Sequence, residues 1–172
     1  MSEEKSTLDS TGSSGIDYSG RPFGYFDPDS ETAMICEQDT TIRHELSKTF
    51  KTLHIDVVEP TTFKEALRYL RFHIFNVIVV DENFDTGVWE VNYVLKYIET
   101  LIMPVRRQTF VVLVSETYPT MDNMRAYNKS VNLIINKKEI AEAALILKKE
   151  IADNSDFYYL FKENINKFGK IY

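Results

Sequence analysis

Glycine is scarce in this chain. Six occur in 172 residues, and Gly87 is the only one between residues 25 and 168. No apolar run is followed by a glycine-rich turn, so neither G-x-G-x-x-G nor G-x-x-x-x-G-K-S/T is present. Such loops bring backbone N–H groups against phosphates, and without them the usual nucleotide-binding chemistries drop out. Cysteine is scarcer still. Cys36 stands alone, which excludes a disulfide framework and makes a cytoplasmic home the default expectation. The histidines His44, His54 and His73 follow no H-x-x-x-H spacing and no C-x-x-C exists, so a zinc site is not expected. G-x-S-x-G is missing, and Cys36 precedes a carboxylate instead of opening a helix, which removes the common hydrolase arrangements. Long apolar runs are lacking too, since none approaches the roughly 18–20 residues of a membrane span. The opening MSEEKSTLDSTGSSG has neither the basic start nor the apolar core of a secretory signal.

Basic charge is also in short supply. The net charge is −6, and residues 1–32 hold seven acids and two bases, which leaves −1 for all the rest. The acidity belongs to the leader, and a general nucleic-acid binder is not expected. Residues 101–138 lean basic through Arg106, Arg107, Arg125, Lys129, Lys137 and Lys138. Few aromatics interleave them, so they read as a solvated face.

What is present suits one globular domain with extensions. Residues 1–20 are rich in Ser, Thr, Gly and acids and have almost nothing apolar to bury, so they read as disordered. Residues 21–30, RPFGYFDPDS, place Phe23, Tyr25 and Phe26 among prolines and a glycine. This arm either docks on its own domain, the favoured reading, or serves as a recognition peptide. Residues 1–31 are therefore taken as leader and arm, 32–151 as the domain, and 152–172 as a helical extension.

From residue 32 the pattern alternates. Ala33 to Cys36 predicts a first strand, ending at Glu37. Ile42, Leu46, Phe50 and Leu53 recur at helical spacing. Ile55 to Val58 predicts a second strand, stopped by Pro60. Thr61 or Thr62 can cap a second helix with Phe63, Ala66, Leu67, Leu70 and Ile74 on its apolar face. Val77 to Asp81 is a third strand: four β-branched residues ending in a carboxylate, as in a strand buried on both faces. Val91, Val94, Leu95, Ile98 and Ile102 predict a third helix, broken near Pro104. Phe110 to Val114 predicts a fourth strand ending at Ser115, and Thr120 a cap for a short helix with Met121, Met124 and Tyr127. Val131 to Ile135 predicts a fifth strand ending at Asn136-Lys137-Lys138, before a last helix from about Glu139 with Ala141, Ala144, Leu145, Leu147 and Ile151. Strict alternation specifies an α/β fold, a five-stranded parallel sheet with helices on both faces and right-handed crossovers. In the extension, Phe157, Phe161, Ile165 and Phe168 share one helical face. That face either packs back on the domain or receives a partner, a second copy included.

Several polar residues follow the strands directly. Glu37-Gln38-Asp39 follows the first, Asp81 closes the third, Ser115 closes the fourth and Lys137 follows the fifth. In a doubly wound sheet these ends share one edge, where ligands gather. A carboxylate there can accept a phosphoryl group if a divalent metal, a hydroxyl and a lysine attend its oxygens.

With MICEQDTTIR and VIVVDENFD in those places, residues 32–151 resemble the receiver domain of bacterial two-component response regulators. The resemblance implies a flavodoxin-like fold, no enzyme activity, a signalling role, and a histidine kinase as a possible phosphoryl source. It makes Asp81 the phosphoacceptor, Ser115 the switch hydroxyl and Lys137 the phosphate-pairing lysine. Glu37, Asp39, Asp81 and the Asn83 carbonyl would hold Mg²⁺. It also implies an output face over the fourth helix, fifth strand and fifth helix, where Arg125 and Lys129 lie. The departures are Gln38 in place of the principal metal-binding acid, Glu116 in place of a small residue, and Asp85 and Lys138 in place of prolines. An amide oxygen is a weaker ligand for Mg²⁺ than a carboxylate. A fifth strand read one place earlier would put Asn136 in the lysine's position. Two expectations follow: a pseudo-receiver that docks partners, or a single-domain response regulator phosphorylated on Asp81.

Overall fold

In the computed structural model, Val77, Ile78, Val79 and Val80 form the middle of a parallel sheet and each is at most 1% exposed. Burying side chains of this size is worth on the order of 1.5–3 kcal/mol each. The structure describes Phe26, residues 30–86 and residues 91–168. The strands are β1 (Thr32–Cys36), β2 (Asp56–Val58), β3 (Val77–Asp81), β4 (Phe110–Ser115) and β5 (Leu133–Asn136), in the order β2-β1-β3-β4-β5. All four neighbour pairs are parallel. The strand order reverses between β1 and β3, which puts a crevice outside their carboxyl ends.

Alternation along the strands divides the interior in two. Ala33, Ile35, Val77, Val79, Val112, Val114 and Ile135 face one core, shared with Ile42, Leu46, Phe50, Ala143 and Leu147. Met34, Cys36, Ile78, Val80, Val111, Leu113 and Ile134 face the other, shared with Ala66, Val94, Ile98 and Ala126. The expected helices on both faces are therefore present. They are α1 (Thr40–Thr52), α2 (Phe63–Phe72), α3 (Tyr93–Thr100), α4 (Met103–Arg106), α5 (Asn123–Asn128), α6 (Ala143–Phe157) and α7 (Tyr159–Phe168). Thr62 caps α2 by accepting from Glu65 N.

Some boundaries move. Pro104 opens α4 instead of only ending a helix, because proline is tolerated in a first turn. Val91 and Ile102 lie outside α3 and are exposed. Met121 has φ 61, a left-handed conformation that cannot start a helix, so Asp122 replaces Thr120 as the cap of α5. Met124 and Tyr127 then face outward, at 72% and 80% exposure, and Ala126 is the buried contact. After β5 the chain runs through a 3₁₀ helix, Lys137–Glu142, so the last long helix starts at Ala143 and not at Glu139. The later start rotates Ala144 and Leu145 outward and leaves Ala143 and Leu147 inside. α6 runs through residue 151, the boundary expected for the domain, and ends at Phe157. The break at Tyr158 splits the expected aromatic stripe. Phe157 and Phe168 are exposed, whereas Phe161 and Ile165 on α7 are half-buried. Phe26 packs on its own domain, its ring 4.2 Å from His73 and 5.5 Å from Phe75. The leader and the other arm aromatics, Phe23 and Tyr25, lie outside the described residues.

Candidate functional site

The register puts the site together. Cys36 pairs with Val80, Asp81 with Val114, and Ser115 with Asn136. Glu37, Asp81, Ser115 and Lys137 therefore come to one edge, as the strand ends implied. Glu37 leaves β1 fully buried. Its Oε1 accepts from Asp39 N at 2.9 Å, whereas Oε2 has no partner. Asp81 ends β3 and is also buried. Lys137 Nζ stands 3.0 Å from Asp81 Oδ1 as an ion pair, although that oxygen receives no aligned hydrogen bond. The same ammonium lies 3.4 Å from Glu116 Oε1. Asn136 takes no part in this pairing. It caps the 3₁₀ helix through Lys138 N and donates to the Tyr118 carbonyl, so the register with Lys137 at the site is the one adopted.

The electrostatics follow from burial. Burial pushes the Glu37 and Asp81 carboxyls above their ordinary range; the charge of Asp81 adds to the rise at Glu37, and that of Glu82 to the rise at Asp81. For Asp81 this outweighs the help of Lys137 and of the Asn83 N–H. Burial alone would lower Lys137, but Asp81, Glu37 and Glu116 together hold it above the ordinary lysine value.

Of the expected metal ligands, Glu37 and Asp81 come to the shared edge and Asp39 turns away from it. Asp39 is exposed, and its Oδ1 accepts from Thr41 N at 2.8 Å and Ile42 N at 3.2 Å to cap α1. Gln38 is exposed, and the Asn83 carbonyl accepts from Thr86 Oγ1 at 3.4 Å. Among the described residues, no three His, Cys, Asp or Glu side chains are placed to hold a metal ion. Glu37 Oε2 is an unpaired acceptor and Asp81 Oδ1 a second oxygen, but Lys137 already stands on Asp81. Mg²⁺ takes one or two carboxylates and keeps several waters, so Glu37 and Asp81 are the residues that would hold it, in competition with Lys137 for Asp81 Oδ1.

Two residues to which the sequence assigned no role shape the edge. Glu82 accepts from Ser115 Oγ at 2.8 Å through Oε2, and from Glu116 N at 2.9 Å and Thr117 Oγ1 at 3.2 Å through Oε1. The hydroxyl expected to serve Asp81 is thus engaged by the next residue. Asn92 donates to the Asp81 and Glu82 carbonyls and caps α3 with its oxygen. Glu82 follows a strand with no periodicity of its own, so nothing in spacing singled it out. Asn92 could have been found as a cap residue at the head of the third helix. Asp85, noted as a departure, has φ 46 and accepts from Phe63 N at 2.8 Å. Proline, fixed near φ −65°, cannot take that conformation.

No protein-family model matches this sequence, and no curated protein matches it. Solved structures do resemble its fold. A CheY-like response regulator receiver domain protein from Methanospirillum hungatei is 16% identical with a TM-score of 0.56, covering 74% of this chain and 98% of its own. A response regulator from Thermotoga maritima is 19% identical with a TM-score of 0.54, over 72% and 98%. The chemotaxis response regulator CheY4 of Vibrio cholerae is 15% identical with a TM-score of 0.56, over 71% and 98%. With its β2-β1-β3-β4-β5 parallel sheet, the chain has the receiver fold.

Proposed function

We propose that this chain is a pseudo-receiver, a receiver-fold signalling module that acts by docking a protein partner and not by metal-dependent phosphorylation of Asp81. One observation carries the reading: Glu37 and Lys137 apart, the groups that would serve a phosphoryl transfer are turned to other partners or to solvent. Asp39 caps α1, Gln38 offers only an exposed amide, and Ser115 donates to Glu82. Exposed side chains support docking: Met124 and Tyr127 on α5, and Leu145, Phe157 and Leu160 on α6 and α7. The partner is a signalling protein, or a second copy meeting through the C-terminal half. Among the described residues no helix is long and apolar enough to cross a membrane. The test is incubation with a small-molecule phosphodonor and Mg²⁺, followed by intact mass. No added phosphoryl group is expected. Stoichiometric phosphorylation that disappears in Asp81→Asn overturns the reading.

A second reading is favoured by the 3.0 Å Lys137–Asp81 pair at the end of β3. In it the chain is a single-domain response regulator phosphorylated on Asp81 by a histidine kinase, with Ser115 exchanging Glu82 for the phosphoryl oxygen and shifting a two-state equilibrium. It predicts that beryllofluoride with Mg²⁺ moves the NMR signals of Asp81, Ser115 and Lys137. An unchanged spectrum counts against it.

A further inference from the structure

Glu82 is only half-buried, yet it binds three donors. Its two oxygens accept from the Ser115 hydroxyl at the end of β4 and from the Glu116 N–H and the Thr117 hydroxyl just after it. The turn is rigidly set. Ser115 is fully buried and its Oγ accepts from both Thr117 N and Tyr118 N at 3.0 Å. With those acceptor positions used, its one proton is left to point at Glu82. The Lys137 ammonium stands one contact away, on the Glu116 carboxylate. Converging hydroxyl and amide donors beside a cation make a concavity for an oxyanion. The anion present belongs to the chain itself. The Glu82 backbone is tied to β4 by its N–H on Val114 O at 2.9 Å, so the carboxylate is a short-tethered ligand at high effective concentration.

We propose that the Ser115–Glu116–Thr117 turn is an oxyanion cradle filled by the chain's own Glu82 carboxylate, which keeps a free tetrahedral oxyanion out and pins the loop after β3 to the loop after β4. The proposal rests on the pseudo-receiver reading in one respect: no external phosphoryl group is the resident ligand of these donors. It adds that the donors themselves remain competent. Truncating Glu82 frees them, and the cradle then accepts sulfate.

The test is a sulfate titration of full-length wild type and Glu82→Ala, read at the Glu116 and Thr117 amides by two-dimensional NMR. At concentrations that saturate E82A, wild type is expected to stay unchanged. Adding Ser115→Ala to E82A removes a hydrogen bond to a charged group and is expected to weaken sulfate by about tenfold. Equal sulfate binding by wild type and E82A overturns the proposal, and so does a folded E82A that does not respond. Should E82A fail to fold, hydrogen exchange on wild type decides. The Glu116 amide is expected to exchange slowly although its residue is exposed, and fast exchange overturns the clamp. Phosphorylation of wild-type Asp81 would end the pseudo-receiver reading and leave the sulfate response of E82A to stand or fall by itself.

Discussion

Asp81 and Glu82 are adjacent carboxylates with opposite surroundings. Asp81 is buried, pushed above its ordinary pKa, and has an oxygen that meets a lysine without an aligned hydrogen bond. Glu82 is half-buried and both its oxygens are bonded. The difference comes from strand geometry. Asp81 is the last residue of β3 in register with β4, and its side chain meets Lys137 at the carboxyl edge of the sheet. One residue later the chain has left the sheet and the side chain reaches the turn after β4. A buried carboxylate with spare acceptor capacity is costly and retains chemical potential for a cation, whereas a saturated one serves as structure.

The sharpest way to break this contrast is Lys137→Ala. It leaves Glu37 and Asp81 buried without their cation and is expected to cost about 3 kcal/mol, read from urea unfolding near neutral pH. The loss should shrink on acidification as the two carboxyls take up protons. Ser115→Ala attacks the other side. It removes the donor to Glu82 and the acceptor for two N–H groups, and is expected to cost about 1.5 kcal/mol by the same measurement.

Glu37→Gln should act in the opposite direction. Glu37 and Asp81 both titrate above the ordinary carboxylate range. Within that window the folded state holds protons that the unfolded chain has released, so stability from these groups is greatest at low pH and falls as pH rises through the raised values. Replacing Glu37 with an amide is expected to stabilise the neutral-pH protein by about 1 kcal/mol, a few degrees in Tm for a chain of this size, and to flatten that slope. A lower Tm in E37Q would mean that the buried charge is fully compensated. The smallest effect belongs to Glu116→Gln. That side chain is 68% exposed and its contact with Lys137 is 3.4 Å, so the change in stability should stay below about 0.5 kcal/mol.

The fold was legible because strand and helix signals are strong where burial is two-sided. Val77 to Val80 and Phe110 to Val114 are continuous apolar runs, and both became central strands. Helix faces were harder to read in short segments. Met121, Met124 and Tyr127 look like an apolar stripe, but a left-handed residue at Met121 reset the helix phase and turned Met124 and Tyr127 outward. The 3₁₀ turn after β5 rotated Leu145 to the surface in the same way. At the site, Glu37, Asp81, Ser115 and Lys137 could be placed because strand ends fix their edge. Which acid engages Ser115 could not, because that depends on the direction of one side chain leaving a strand.

Cys36 turns the sheet into its own reporter. It is the chain's single thiol, it sits fully buried on β1 beside β3, and burial pushes its pKa far above neutrality. A thiol reagent therefore has nothing to attack in the closed molecule. Each label counts one opening of the central strands, and labelling rates across variants of the acidic edge would compare how firmly each holds the middle of the sheet shut.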